Sequence, residues 1–150
     1  PMAHTILILN GPNLNMLGVR EPAIYGSATL QDVQAETEAR AATHDLGVDF
    51  RQSNLEGELV TWIQQAPAEN AAGLIINAGA LTHTSIALHD AVRGSGLPMI
   101  EVHLSNVYQR EEFRHKSFLS PIANGVICGF GVESYVLAVD AMASILKSQS

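Results

Sequence analysis

The chain has 150 residues, of which 47% are hydrophobic and 15% are charged, and its formal net charge is -7. This length and composition predict one globular domain, residues 1–150, with a full-sized core, and they exclude a disordered chain. The acidic balance and the absence of any run of Lys and Arg argue against a nucleic-acid partner.

Neither a membrane nor a disulfide framework is expected. No apolar run approaches the ~20 residues that span a bilayer, and the first residues lack the features of a signal peptide. The single cysteine, Cys128, lies in an apolar run and is expected to be a small buried hydrophobe. A soluble cytoplasmic protein is therefore the expectation, and the low charged fraction suggests that surface is buried between subunits.

Short apolar runs alternate with longer helical patterns along the chain. The runs predict strands over residues 4–10, 48–52, 73–77, 99–103 and 125–129. The stretches between them predict helices over residues 29–46, 56–66, 84–93, 109–114 and 132–146. Most runs are continuous and β-branched, which is typical of strands covered on both faces. The alternation predicts a flavodoxin-like α/β fold, a five-stranded parallel sheet of order 2-1-3-4-5 with helices on both faces.

A long loop, residues 10–26, follows the first predicted strand and reads NGPNLNMLGVREPAIYG. Its Gly, Pro and Asn content excludes a helix or strand through it, and a loop of this length in a compact domain is usually functional. It carries a cation and a phenol, Arg20 and Tyr25. We interpret residues 10–15 as a fixed turn and residues 18–26 as a mobile active-site lid.

Polar, mostly uncharged side chains follow the predicted strands, where ligands of such sheets bind. They are Asn10, Asn13, Asn77, His83, His103, Ser105 and Asn106, with Glu101 as a carboxylate nearby. This set favours a polar, oxygen-rich small molecule. The chain lacks the hydroxyl-rich phosphate loop of a flavodoxin, the acid pair of a receiver domain and the G-x-G-x-x-G of a dinucleotide binder. Because its histidines have no supporting carboxylate cluster, no metal is expected.

Three long segments together resemble one family. They are the loop NGPNLNMLGVREPAIYG, INAGALTHTSIALHDA at residues 76–91, and EVHLSNVYQREEFRHKSFLSPIANGVICGFG at residues 101–131. They are similar to type II 3-dehydroquinate dehydratase over nearly the whole chain. The resemblance implies anti elimination of water from 3-dehydroquinate to 3-dehydroshikimate through an enolate, in the shikimate pathway of aromatic amino acid biosynthesis. It also implies no metal, no cofactor and no Schiff base, and a homododecamer built as a tetramer of trimers.

The resemblance also implies the residues that move protons. Tyr25 is expected to be the base. Because a free phenol has a pKa near ~10, it needs a cation beside it, which Arg20 would supply, with Arg110 as a second candidate. His103 is expected to be the general acid. Glu101, two residues back on the same strand face, would orient its imidazole.

The other matched residues would bind the substrate or its enolate. Asn13 is expected to hold a water against the enolate oxygen. Ring hydroxyls would be bound by Asn77, His83 and Arg114, and the carboxylate by the backbone N–H groups of Leu104 and Ser105. Arg110 and Arg114 are four apart, so one helical turn would place them on one face. Asp90 would reach into the site of a neighbouring subunit, which would make the trimer the smallest complete catalyst.

Ordinary structural roles would also explain these residues. A loop tyrosine can pack on the domain, a strand histidine can bond a backbone carbonyl, an asparagine can fit a tight turn, and an arginine can be solvated. The fold also hosts many functions, so a non-enzymatic flavodoxin-like module that binds a nucleotide or a partner is the alternative.

Overall fold

The computed structural model describes residues 4–19, 23 and 26–149. The strands are β1 (His4–Asn10), β2 (Leu46–Gln52), β3 (Ala71–Asn77), β4 (Met99–His103) and β5 (Gly125–Cys128). The helices of the described residues are α1 (Leu30–Ala42), α2 (Glu56–Gln65), α3 (Ile86–Ser95) and α4 (Val132–Ser148). All strand pairs are parallel, and their order is β2-β1-β3-β4-β5. The predicted flavodoxin-like α/β fold is therefore confirmed.

The sheet separates two apolar layers. Ile6, Ile8 and Ile75 face a layer that includes side chains of α1 and α4. Leu7 and Leu74 face the opposite layer, which includes side chains of α2 and α3. Successive strand residues point to opposite faces, so covering both faces requires the continuous apolar runs seen in the sequence. Because the strands are parallel, their carboxyl ends meet at one edge of the sheet.

The predicted helix over residues 29–46 begins correctly and ends too late. Thr29 and Asp32 form a capping box at the start of α1, with the Asp32 N–H bonded to Thr29 Oγ1 at 3.2 Å. The helix stops at Ala42, and Asp45 adopts a positive φ of 57°. Gly47, which directly follows the predicted helix, pairs with Thr5 inside the sheet. The pairing of β2 with β1 therefore overrides the helical pattern of these residues.

The predicted helix over residues 109–114 is wrong. The chain forms two separate 3-10 turns, Val107–Gln109 and Glu112–Arg114, and Arg110 between them is extended. The argument that one helical turn aligns Arg110 with Arg114 therefore fails. The remaining strands and helices differ from their predicted limits by a few residues at most. None of the helices in the described part of the chain is long and apolar enough to cross a membrane.

The first part of the long loop is a tight turn against β3. Gly11 donates its N–H to the Asn77 carbonyl at 2.8 Å, and a Cβ on Gly11 would collide with the Ala78 carbonyl. Asn13 then takes a left-handed conformation with φ of 70°, followed by a 3-10 turn at Leu14–Met16. Arg20 and Tyr25 lie outside the described residues, so the predicted lid over residues 18–26 is only partly described.

Candidate active site

A cleft opens at the carboxyl ends of β1, β3 and β4. It holds about 690 Å³ of empty space, part of it open to solvent. The strands next to β1 are β2 on one side and β3 on the other, so the cleft lies where the strand order reverses. The predicted residues that line it are Asn13, Asn77, His83, His103, Leu104, Ser105, Arg110 and Arg114.

A buried histidine–carboxylate pair forms the base of the cleft. His103 Nε2 lies 2.5 Å from Glu101 Oε2, and the two residues are 6% and 2% exposed. The other carboxylate oxygen, Glu101 Oε1, accepts hydrogen bonds from Ser120 Oγ at 2.6 Å and Ser117 Oγ at 2.9 Å. Burial favours the neutral acid, but the bonds from His103 and the two serines outweigh it and hold the pKa of Glu101 below its usual range.

The ionised Glu101 determines which nitrogen of His103 can act. A carboxylate only accepts hydrogen bonds, so His103 Nε2 carries a proton and donates it. Nδ1 is then the ring nitrogen left for a ligand in the cleft. Protonated, it can give a proton to a leaving group, and neutral, it can take one. The pair can therefore act as a positioned general acid or base.

His83 provides a second imidazole with a different character. Its Nδ1 donates to the Lys116 carbonyl at 2.7 Å, which leaves Nε2 as the ring nitrogen for the cleft. Burial lowers the pKa of His83, and the charges of His103 and Arg114 lower it further. Neutral His83 therefore offers a lone pair, which can accept a hydrogen bond from a ligand hydroxyl.

The carboxylate of Glu111 lies beside two arginines that line the cleft, Arg110 and Arg114. Its Oε1 accepts from Arg114 Nε at 3.1 Å and lies 3.8 Å from Arg110 Nε. The side chains of Arg110 and Arg114 are only 14% and 19% exposed, whereas that of Glu111 is 53% exposed. The carboxylate thus holds the guanidinium groups from the solvent side.

Asn13 reaches the cleft from the turn that follows β1. The Asn13 N–H donates to Asn54 Oδ1 at 3.0 Å, and Gln52 Nε2 bonds the Gly11 carbonyl at 3.1 Å. Asparagine tolerates the left-handed backbone that this turn needs. The ordinary reading of Asn13 as a turn residue is therefore correct, and the same turn places it at the cleft.

Asp90 lies elsewhere. It faces a separate groove between α2 and α3, together with Val60, Gln64 and Pro67. Glu101 acts from behind His103 and does not itself line the cleft. Cys128 is partly rather than fully buried at the end of β5. Residues 4–19, 23 and 26–149 contain no cluster of His, Cys, Asp or Glu that could hold a metal ion.

Sequence reasoning missed the groups that support the site. Ser117 and Ser120 bond Glu101 from 16 and 19 residues further along the chain, a distance at which no local pattern operates. The apolar wall of Leu14, Met16 and Leu17 was also missed. Tyr135 lies in the core-facing apolar stripe of α4, and its hydroxyl bonds Asn77. A phenol in an otherwise apolar stripe was the available signal.

Fold and cleft together define a flavodoxin-like α/β enzyme with an acid–base site at the switch point of its sheet. The family model for class II dehydroquinase matches residues 4–143. The 3-dehydroquinate dehydratase of Azorhizobium caulinodans is 60% identical over 143 residues, 95% of this chain and 96% of its own. That of Rhizobium johnstonii is 58% identical over 96% of this chain and 99% of its own.

The solved structures agree with these sequence matches. The type II dehydroquinase of Propionibacterium acnes superposes with a TM-score of 0.90 at 42% identity, covering 95% of this chain and 98% of its own. A 3-dehydroquinate dehydratase-like protein from Bifidobacterium longum has a TM-score of 0.71 at 31% identity, over 96% and 98% of the two chains. The chain belongs to the class II dehydroquinase family. A non-enzymatic binding module is not favoured.

Proposed function

We propose that the cleft eliminates water from 3-dehydroquinate by an anti elimination through an enolate, which gives 3-dehydroshikimate. The activity, that of a type II 3-dehydroquinate dehydratase and hence a hydro-lyase, follows from the family. The observation that carries the mechanism is the buried His103–Glu101 pair at the base of a cleft lined by hydrogen-bonding groups. The relatives are named as 3-dehydroquinate dehydratases, and 3-dehydroquinate is the kind of oxygen-rich ligand that such a lining suits.

His103 is the general acid of this mechanism. Its Nδ1 gives a proton to the departing hydroxyl as the carbon–oxygen bond breaks, so the group leaves as water. Glu101 stays ionised and stabilises the imidazolium before transfer. Ser117 and Ser120 keep the carboxylate in place. A fixed acid removes the need to reorganise solvent around the leaving oxygen.

Tyr25 is the base, and it takes the proton from the carbon next to the ketone. Arg20 supplies the nearby cation and residues 18–26 act as the lid, on the strength of the family resemblance. Arg110 lines the cleft and is the second cation. Two guanidinium groups near the phenol favour the phenolate at neutral pH. The enolate oxygen is then stabilised by a water that Asn13 holds at the cleft.

Substrate binding is divided among the remaining groups of the cleft. Asn77 and Arg114 donate to ring hydroxyl oxygens, and the neutral His83 accepts from a ring hydroxyl. The backbone N–H groups of Leu104 and Ser105, directly after β4, bind the carboxylate. Backbone binding explains why an apolar leucine occupies a polar cleft. No step needs a metal or a cofactor.

The catalytic unit is a trimer, and four trimers form a homododecamer. Asp90 lies outside the cleft of its own protomer, which is the position that a residue serving a neighbouring site requires. Phe113 and Phe130 are 63% and 64% exposed in the single chain, and contacts between subunits would cover them. The enzyme works in the cytoplasm, in the shikimate pathway of aromatic amino acid biosynthesis. Light scattering of purified protein tests the assembly, and a monomer with full activity contradicts it.

One assay tests the proposed activity. Purified protein mixed with 3-dehydroquinate should produce the absorbing enone of 3-dehydroshikimate, and Tyr25→Phe should lose nearly all turnover while still binding the substrate. Borohydride added with substrate should leave activity intact, because no lysine imine forms. The absence of an enone, together with tight nucleotide binding, would instead support a binding module.

A further inference from the structure

A buried chain of side chains connects the cleft to the core. Tyr135 on α4 is 0% exposed. Its hydroxyl donates to Asn10 Oδ1 at 2.7 Å and accepts from Asn77 Nδ2 at 2.9 Å. Of these three residues, Asn77 alone lines the cleft. The side chains of Tyr135 and Asn10 are therefore linked to the cleft through the side-chain amide of Asn77.

Backbone groups fix the direction of every bond in this chain. At one end, Asn10 Nδ2 donates to the Arg51 carbonyl at 3.0 Å, and a carbonyl can only accept. At the other end, Asn77 Oδ1 accepts from the Gly79 N–H at 3.2 Å, and an N–H can only donate. The oxygen of Asn10 and the nitrogen of Asn77 must therefore face Tyr135. The hydroxyl between them has one arrangement that satisfies both.

The fixed amide has a consequence for the ligand. One of the two protons on Asn77 Nδ2 is used by Tyr135, so the other is the donor available to the cleft. An asparagine without such neighbours can turn by half a rotation and exchange its donor and acceptor. We propose that Tyr135 is a positioning residue that holds the donor side of Asn77 towards a hydroxyl oxygen of the substrate. This inference rests on the proposed role of Asn77 in substrate binding.

The surroundings of Tyr135 agree with a positioning role. Its ring lies in the apolar layer between the sheet and α4, where a phenylalanine would pack as well. Burial raises the pKa of the Tyr135 phenol, so it stays a neutral hydroxyl that can both donate and accept. Burying a hydroxyl without a hydrogen-bond partner is costly, and this one is bonded on both sides.

The test compares two variants that each remove one buried hydroxyl. Tyr135→Phe removes the hydroxyl that holds Asn77 Nδ2, while the Gly79 N–H still bonds Asn77 Oδ1. Thr37→Val removes the Oγ that donates to the Gln34 carbonyl within α1, far from the cleft, at a residue that is also 0% exposed. For Tyr135→Phe we expect KM for 3-dehydroquinate to rise about tenfold with kcat changed less than about twofold, the pattern of lost uniform binding. Thr37→Val should keep both constants. A wild-type KM in Tyr135→Phe overturns the inference.

Two further variants keep the test decisive. Asn10→Ala removes the acceptor of the Tyr135 hydroxyl and leaves Tyr135 and Asn77 unchanged. It should raise KM, as Tyr135→Phe does. It decides the matter if Tyr135→Phe does not fold, and an unchanged KM counts against the inference. In an Asn77→Ala background, Tyr135→Phe should add less than about twofold to KM, because the coupling passes through Asn77. A further tenfold rise in that background contradicts the proposal.

The same variants separate failure of the inference from failure of the proposed function. If Asn77→Ala raises KM and Tyr135→Phe does not, the substrate contact holds and only the positioning role is wrong. If Asn77→Ala itself keeps the wild-type KM, the proposed contact of Asn77 is wrong and the inference falls with it.

Discussion

Buried polar groups in this protein act in partnership, and Glu101 shows why. A carboxylate that is 2% exposed would ordinarily become neutral, since burial penalises its charge. Three hydrogen bonds, from His103, Ser117 and Ser120, keep it ionised. The charge then fixes a proton on Nε2 of His103 and leaves Nδ1 for the proposed reaction. The chemistry of one imidazole thus depends on two serines that lie far from it in the sequence.

The serine support predicts a specific change in the pH profile. Removing a bond that favours the carboxylate should raise the pKa of Glu101, so Ser120→Ala should move the acid limb of kcat/KM to higher pH. We expect kcat at pH 7 to fall about 3–10-fold, less than the full effect of a hydrogen bond to a charged group, because Ser117 still bonds the carboxylate. Ser95→Ala is the matched control, because Ser95 Oγ bonds only groups at the end of α3. An unshifted acid limb in Ser120→Ala would show that Glu101 is held by other means.

At the scale of elements, contacts between sequence neighbours predicted the start of helix α1 better than its end. Thr29 and Asp32 marked the start of α1 because a cap is a contact between neighbours in sequence. After α1 ends at Ala42, the chain joins β2, in which Gly47 pairs with a strand about forty residues earlier. Helical periodicity cannot show such a contact. The two turns around Arg110 border the cleft, where the sequence had suggested a single helix.

The cap of α1 should contribute measurably to stability. Thr29→Ala removes the side-chain acceptor for the Asp32 N–H and should lower the free energy of unfolding by about 1 kcal/mol. Urea denaturation at a fixed protein concentration measures this change. Thr43→Ala is the control at the other end of the helix, where the Oγ donates to the Arg40 carbonyl and should matter less. Equal losses from the two variants would refute the role of the capping box.

For the whole molecule, the sheet order predicted the place of the site, and sequence position predicted most of its lining. Strand ends are a topological property, so Asn77 and His103 could be assigned to one edge once the alternation of elements was recognised. Asp90 could be assigned to no cleft by that argument, because its proposed partner is another subunit. An ion pair and a hydrogen bond that no local pattern reveals also connect α4 with α1 and the turn after it. Asp140 on α4 bonds Arg40 at 2.8 Å and His44 at 2.7 Å across to α1 and the turn that follows it.

Protonation of Asp140 should lower the stability of the folded protein at acid pH. The hydrogen bond from Arg40 lowers the pKa of Asp140 to about 2 from an ordinary 3.8. The folded state therefore binds this proton less readily than the unfolded state. The stability from Asp140 is fully present above about pH 4 and is lost as pH falls towards 2. Asp140→Asn should lower Tm at pH 7 by about 2–4 °C and flatten the fall of Tm between pH 4 and pH 2. A wild-type slope in the variant would contradict this assignment.

The most direct test of the central claim is kcat for His103→Asn measured beside His89→Asn. Both replace an imidazole whose ring nitrogen is bonded within the protein, but His89 bonds the Phe118 carbonyl and does not line the cleft. If His103 is the general acid, His103→Asn should lose about 10²–10⁴-fold in kcat, and His89→Asn should stay close to the wild type. A His103→Asn variant that converts 3-dehydroquinate at the wild-type rate would contradict the account.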